Sequence, residues 1–417
     1  MFVRNDVTVD ARVLKEAATL HGAGHEVTIV GRTRPGTAHV IEREPRAGFE
    51  IVRVPMPRWR RWWRWLRAPS RLWSIIRRRR AAAGERMDAL DWLAMWQFGT
   101  LGWARAAARE AGPADVYHGH DLTGLPAAVF AQRAYGGRIV YDSHELYMES
   151  GATLGRPGWA RAWLARRERA WAAKAVALVT VNQAIADDLA AELKVERVVV
   201  VHNCPPRQAT EILSDDRLRA AAKIPMGSPV VLYQGGLRPG RGIKTLAESI
   251  LETGLERVHL CYLGFGPLRD EVAALERDPR FQGRLHLLEP VAPDEVVAWV
   301  ASADVDAIPI QATNRSYSLS TPNKLFEALA AGTPVVASDL PGIRSIVVDD
   351  PEGPLGEICN PTDPGEIGDA IRRILALSPE AREDLAARCR RAARERWNWE
   401  TESARLVELY RDLEASA

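Results

Sequence analysis

Cysteine is scarce: four residues in 417, at Cys204, Cys261, Cys359 and Cys389. No two lie close enough in sequence to read as a disulfide framework or a metal-ligand spacing, and this usage suits a reducing compartment. Long apolar runs are missing too. No stretch approaches the ~20 residues that cross a bilayer, and no secretory signal is visible. The expectation is a cytoplasmic chain. Charge of one sign is not in excess; the net of +2 implies no global polyanion partner. Low-complexity linkers are absent, and the only internal recurrence is one α/β series followed by a second. Hydrophobic residues make up 47% and charged residues 26%, enough for packed cores, and the length suits two domains of ordinary size.

One absence is local. No acidic residue occurs between Glu50 and Glu85, and residues 58–80 hold ten arginines and five tryptophans. Pro69 favours two short pieces over one helix. Tryptophan prefers the headgroup layer and arginine attracts anionic lipid, at ~1 kcal/mol per basic residue. The stretch is therefore expected to touch an anionic inner membrane face peripherally. A solvated helix with its tryptophans in the core is the alternative. Gripping RNA by stacking and phosphate contacts is a weaker one, and no nucleic-acid partner is expected.

The most informative stretch runs from Ser320 to Asp339. Thr321 reads as an N-cap and Pro322 as the first helical residue, where a missing N–H costs nothing. Leu325, Phe326, Leu329 and Ala330 form an apolar face, Gly332 ends the helix, and Thr333 to Ala337 reads as a buried strand. A helix N-terminus leaving a parallel sheet is an anion site. Ser320, Thr321, Pro322 and Asn323 border it, and Lys324 adds a cation. Glu327, placed in the first turn, can accept hydrogen bonds from vicinal hydroxyls. Cation beside phosphate and carboxylate beside ribose is how a nucleotide is held. The bland reading leaves Glu327 as a complement to the helix dipole.

Met1 to Arg4 reads as the tail of a first strand that begins upstream. A helix from Asp10 to Leu20 follows, then a strand at 26–31, the opening of a parallel sheet. Strands ending at Asp115–Asp121 and Arg138–Glu145 place His118, His120, Asp121 and His144 at carboxyl ends, where such sheets open to ligands. The strand Arg197 to Asn203 closes this half. The second series begins at Pro229. Its first strand runs into Gly235 and Gly236, then Arg238 and Arg241. A later strand runs into Gly264 and Gly266. Glycine admits close approach of an anion to the backbone, and arginine offers it a fork. Asp304 and Asp306 lie in an apolar strand and are read as structural, not as metal ligands; no metal or cofactor is expected.

The string Lys324-Leu-Phe-Glu327-Ala-x-Ala-x-Gly332-x-Pro-Val-Val-Ala-Ser-Asp339 closely resembles the donor-binding signature of glycosyltransferase family 4. His118-x-His120-Asp121 and Tyr141-Asp-Ser-His144-Glu145 are similar to two further motifs of that family. The resemblance implies an α/β fold of GT-B type, two Rossmann-like domains facing across a cleft. The boundaries are 1–205 for the N-terminal acceptor domain and 206–396 for the C-terminal donor domain. Residues 397–417 form a helix packing back on the first domain. It implies a retaining transferase that moves a sugar from a nucleotide diphosphate sugar, expected to be uridine-linked, to a hydroxyl of a glycan or lipid-linked acceptor. Glu327 would hold the ribose; Arg241, Arg238 and Lys324 the diphosphate; His144, with His120, the sugar. The chain departs from the family's pattern at three places. Asn5 to Thr8 replaces a Gly-Gly loop, Gly236 stands where an Arg is usual with Arg241 in place of a Lys, and Leu319 occupies the position of a first glutamate. Two alternatives stand beside this reading: a nucleotide-sugar epimerase of the same architecture, and a partner subunit that binds nucleotide without turnover.

Overall fold

The computed structural model describes residues 1–8, 10–34, 36–37, 39–57, 89–149, 151–211 and 215–416. The Arg/Trp-rich stretch 58–80 lies outside the described residues. The chain divides into two compact units. The first comprises Met1–Val181, Ile185–Val201 and Arg405–Ala417, the second Asn182–Ala184 and His202–Ala404.

In the first unit, β1 (Val27–Arg32) and β3 (Phe49–Val54) pair in parallel, and β2 (Glu42–Arg46) runs antiparallel to β3. Four more strands, β4 (Val116–His120), β5 (Arg138–Ser143), β6 (Ala175–Thr180) and β7 (Val198–Val200), lie parallel in that order. Met1 to Val3 bridges the two groups. The Phe2 N–H donates to the His118 carbonyl at 2.7 Å, the His120 N–H donates to the Phe2 carbonyl at 2.9 Å, and Val30 donates to Met1 at 2.8 Å. Phe2 thus occupies a strand position with parallel bridges to both Val30 and Gly119. The strand expected over 197–203 shrinks to three residues; the Val201 N–H still donates to the Thr180 carbonyl at 2.8 Å, while the Val201 carbonyl accepts from Arg12 at 2.7 Å.

The helix Ala11–Gly22 is capped by the Asp10 carboxylate and buries Arg12 and Glu16 along with Val13, Ala17 and Leu20. Two charged side chains therefore share its apolar face. Ahead of it, Val7 sits at φ 59°, in the left-handed region. That conformation suits glycine and strains a β-branched residue. The loop that lacks the family's glycine pair still holds a backbone shape that glycine would hold without strain.

The second unit is one parallel sheet of six strands. They are β8 (Val230–Gln234), β9 (His259–Leu263), β10 (Leu285–Leu288), β11 (Val305–Ile308), β12 (Val335–Ser338) and β13 (Gly356–Cys359), in the order β10-β9-β8-β11-β12-β13. This is the doubly wound order, and it reverses between β8 and β11, where the crevice at the carboxyl ends receives ligands. Side chains alternate with period two, as in any strand buried on both faces. Val230 and Leu232 point into one core, Val231 and Tyr233 into the other. The helix Asn323–Ala331 lays Leu325, Phe326 and Leu329 into the first of these cores. Each such burial contributes about 1.5–3 kcal/mol.

Glycines let two loops at the carboxyl ends of β8 and β9 touch. Gly235 donates to the Leu263 carbonyl and Leu237 to the Phe265 carbonyl, both at 2.9 Å. A Cβ on Gly264 would stand 1.9 Å from the Gly235 carbonyl oxygen. Gly264→Ala is expected to separate the loops and cost about 1–3 kcal/mol, the usual range for overpacking. Urea unfolding checks it, as a lowered midpoint at unchanged slope.

Candidate active site

Asp142, at the carboxyl end of β5, is the hub of a buried cluster in the first unit. Arg12 grips it with two hydrogen bonds, Nε to Oδ2 and Nη2 to Oδ1, each 3.1 Å. The same Oδ2 lies 3.1 Å from His120 Nδ1 and 3.1 Å from His144 Nε2. Burial penalises this carboxylate, but Arg12, His144, the nearby His118 ring and the hydrogen bond from His120 outweigh the penalty and hold its pKa well below the ordinary range.

Each ring nitrogen of His144 faces a carboxylate. Nε2 meets Asp142, and Nδ1 stands 3.4 Å from Asp121 Oδ2. Burial works against the cation, but Asp121 and Asp142 together raise the His144 pKa to about 10. A ring that donates from both nitrogens is an imidazolium, with no lone pair left to take a proton. His118 and His120 stack at 4.5 Å between centroids. Both are driven toward the neutral form, by burial first; for His120 the pKa falls well below the ordinary value and His118 adds to the fall. His118 Nδ1 lies 2.9 Å from the Tyr410 hydroxyl, on the last helix. Glu16 completes the group, 2.9 Å from Arg12 Nε; burial and the neighbouring Asp142 push it up to about 8.

Among the described residues, Glu16, His118, His120 and Asp142 bring potential metal-ligand atoms within 4.8 Å of one another. The guanidinium of Arg12 already stands against both carboxylates, so a divalent ion would be placed against a buried cation. The sequence pointed to His120 and His144, and the structure brings them together, with His120 Nδ1 3.4 Å from His144 Nε2. It gave no role to Arg12, Glu16 or Tyr410. The available signal was an Arg and a Glu four residues apart on the apolar face of a helix.

The second unit gathers the other candidates around the carboxyl ends of β8 and β11. Gln234, the last residue of β8, donates from Nε2 to the Glu327 carboxylate at 2.7 Å. Lys324 Nζ lies 3.6 Å from the Tyr233 ring centroid. A Cβ on Gly235 would stand 3.8 Å from that Nζ. Lys324 is 8% exposed and Asp306 on β11 is fully buried. Neither the ammonium nor either Asp306 oxygen has a hydrogen-bond partner among the described residues. Burial lowers Lys324 to about 7 against the pull of Asp306. Burial, together with Glu327, raises Asp306 well above the carboxylate range. The Arg241 guanidinium stacks over the Tyr317 ring at 4.5 Å, and the Arg238 side chain runs 3.6 Å from where a Gly236 Cβ would sit. Gly266 lies against Leu237, and Ser320 donates to the Tyr317 carbonyl at 2.9 Å.

Two local expectations need correcting. Pro322, not Thr321, holds the N-cap position, without a side-chain cap bond, and the helix starts at Asn323. Pro322 takes extended backbone (ψ 145°), and the Thr321 hydroxyl is instead 3.2 Å from the Asn182 side-chain amide. In consequence Glu327 falls in the second turn of the helix, not the first. The Gln234 amide donates to it at 2.7 Å. Asp304 accepts from Arg219 at 2.6 Å and from the Val230 N–H at 2.8 Å, so its carboxylate ties β11 to β8.

A family model described as "Glycosyl transferase 4-like domain" matches residues 8–204, and one described as "Glycosyl transferases group 1" matches residues 228–377. The D-inositol 3-phosphate glycosyltransferase of Xylanimonas cellulosilytica is 30% identical over 327 residues, covering 75% of each chain. This chain belongs to the group 1 glycosyltransferases. Solved structures carry the fold. Sucrose-phosphate synthase from Thermosynechococcus elongatus superposes with TM-score 0.72 at 20% identity, over 97% of this chain and 93% of that one. Anabaena HepE in complex with UDP gives 0.68 at 13%, over 99% and 98%. The fold is GT-B. As a group 1 glycosyltransferase the chain is an enzyme that moves a sugar from a nucleotide sugar, and nothing favours the epimerase alternative.

Two measurements follow from the charge cluster of this glycosyltransferase. Asp142→Asn leaves Arg12 and His144 as buried cations without their shared anion and is expected to cost about 3–5 kcal/mol of stability, read by denaturant unfolding. His144 has a folded pKa above its unfolded one. Its contribution is therefore complete below about pH 6.5 and is lost as pH rises through about 10. His144→Gln should flatten the decline of unfolding free energy across that window.

Proposed function

We propose that this chain is a retaining hexosyltransferase that takes the sugar of a UDP-sugar and delivers it to a hydroxyl of a glycan or lipid-linked acceptor. One observation carries the reading. Glu327 is oriented by Gln234 at the reversal point of a doubly wound sheet, with Lys324, Arg241 and Arg238 as cations around the same glycine loop. A ribose offers the two hydroxyls a carboxylate accepts. A diphosphate offers the charge that the cations and the glycine backbone accept. UDP is favoured because HepE, of the same fold, is described in complex with it.

In the transfer, the bond between the anomeric carbon and the diphosphate oxygen breaks, the acceptor oxygen bonds to that carbon, its proton passes to the leaving phosphate oxygen, and negative charge gathers on the leaving group. Preorganised cations stabilise that charge where it develops. Arg241 is held by its stack on Tyr317 and so needs little reorganisation. Phe265, 62% exposed between Gly264 and Gly266, offers an aromatic face to the nucleobase. His144 is proposed to serve the transferred sugar as a fixed positive charge, with His120 positioned beside it; neither is assigned as a general base. No metal or further cofactor enters the scheme, since the arginines and the lysine take the role a divalent ion would have.

Glu327→Ala removes charge-assisted hydrogen bonds worth about 1.5–3 kcal/mol. It should lower kcat/KM for the donor by about tenfold to a hundredfold while the fold, read by circular dichroism, is kept. An unchanged kcat/KM contradicts the ribose role. Peripheral membrane contact through residues 58–80 is proposed from composition alone. The protein should co-sediment with phosphatidylserine vesicles and not with phosphatidylcholine ones, and release at high salt.

A further inference from the structure

Two buried groups of opposite sign lie near each other in the second unit without a hydrogen bond between them. Asp306 is fully enclosed on β11, and neither of its oxygens has a hydrogen-bond partner among the described residues; the same holds for Lys324 Nζ. Buried polar groups are nearly always satisfied, and each exception calls for a reason. Structural satisfaction does not supply one here. The Arg12–Asp142 pair shows what a satisfied buried pair looks like in this chain, with two direct hydrogen bonds. Lys324 instead sets its ammonium on the face of Tyr233, close to where a Gly235 side chain would stand. Its N–H donors meet no hydrogen-bonding oxygen among the described residues.

The charged and titratable groups facing this lysine come from four elements. Tyr233 lies on β8, Asp306 on β11, Glu327 on the lysine's own helix, and Arg241 on the loop after β8. Burial and Arg241 disfavour the ammonium; Asp306 and Glu327 favour it. Glu327 in turn disfavours ionisation of Asp306. Above the Lys324 value of about 7, then, the coupled pair of Asp306 and Lys324 holds one proton fewer than when both are protonated.

We propose that Asp306 is a positioning residue for the donor, the partner of Lys324 in a buried acid–base pair that takes up one proton from solvent when a nucleoside diphosphate seats on the ammonium beside Gly235. The inference rests on the donor-site reading above. The phosphate's negative charge favours the state with Lys324 as –NH3⁺ and Asp306 as –COOH. That state holds one proton more than the free pair, and the proton returns to solvent when the diphosphate leaves. The pair presents no net charge to the apolar sheet while empty and one positive charge while loaded.

Isothermal titration of UDP into the wild-type chain, and of GDP in a parallel run, tests both levels. Titrations at pH 7.5 to 8.5 in buffers of different ionisation enthalpy give the protons taken up. The terminal phosphate, with its second pKa near 6, is already ionised there. Uptake approaching one proton per nucleotide is expected, with Kd rising toward tenfold per pH unit. Asp306→Asn, which mimics the uncharged acid of the loaded state, should bind at least as tightly as wild type at pH 8 and converge with it at pH 6.5. A purely structural role would weaken it equally at both. Lys324→Met should bind more weakly with no proton uptake. Binding with buffer-independent heat and a flat Kd from pH 7 to 9 overturns the proton linkage and leaves the donor site standing. No binding of either nucleotide, with no thermal stabilisation, removes the donor site itself.

Discussion

A charge taken out of water must find its opposite or give up its proton, and this constraint shapes the interior of both units. In the first, Arg12 supplies the cation around which Asp142 stays ionised, and Asp142 in turn fixes the protonation of His144. The glutamate left over, Glu16, drifts toward the neutral form. There the central pair, Arg12 and Asp142, is joined by two hydrogen bonds, although both Glu16 oxygens, His118 Nε2 and His120 Nε2 have no partner among the described residues. In the second unit Lys324 and Asp306 are as enclosed and have no hydrogen bond at all among the described residues. Opposite charges left so at the reversal point of a doubly wound sheet have the character of a binding site.

Backbone geometry serves the same end. The loops after β8 and β9 meet through glycines whose Cβ positions are taken by neighbouring carbonyls. Their closeness leaves the floor around Gly235 free of side chains except for the lysine head. Tyr317 holds Arg241 by its ring, a contact that orients the guanidinium without consuming its N–H donors. Cations held by aromatic faces stay available to phosphate oxygens.

Much of this was legible in the order of residues. Alternating α and β signals gave two parallel sheets, and the string around Lys324 and Glu327 located the donor candidates, because a helix start after a buried strand has a local signature. His120 and His144 were legible as strand-end polar residues. What stayed hidden depends on distant pairing. Nothing near Asp306 in sequence says that its charge and that of Lys324 act on each other, and its place in an apolar strand reads as structural. Tyr410 and Arg12 reach the histidine cluster from opposite ends of the chain. The helix start itself was misplaced by one residue. Thr-Pro is a good capping pair in isolation, but the Asn182 amide claims the threonine hydroxyl, and the extended backbone of Pro322 becomes the cap.

The central claim is that the second unit grips a nucleoside diphosphate with positive charge at one end and an oriented carboxylate at the other. A crystal structure of the chain with UDP tests it most directly. The account predicts ribose hydroxyls within about 2.6–3.2 Å of the Glu327 carboxylate, and phosphate oxygens at similar distances from Arg241 and Lys324. UDP bound elsewhere, or bound with no ribose hydroxyl on Glu327 and Lys324 still under Tyr233, would contradict it.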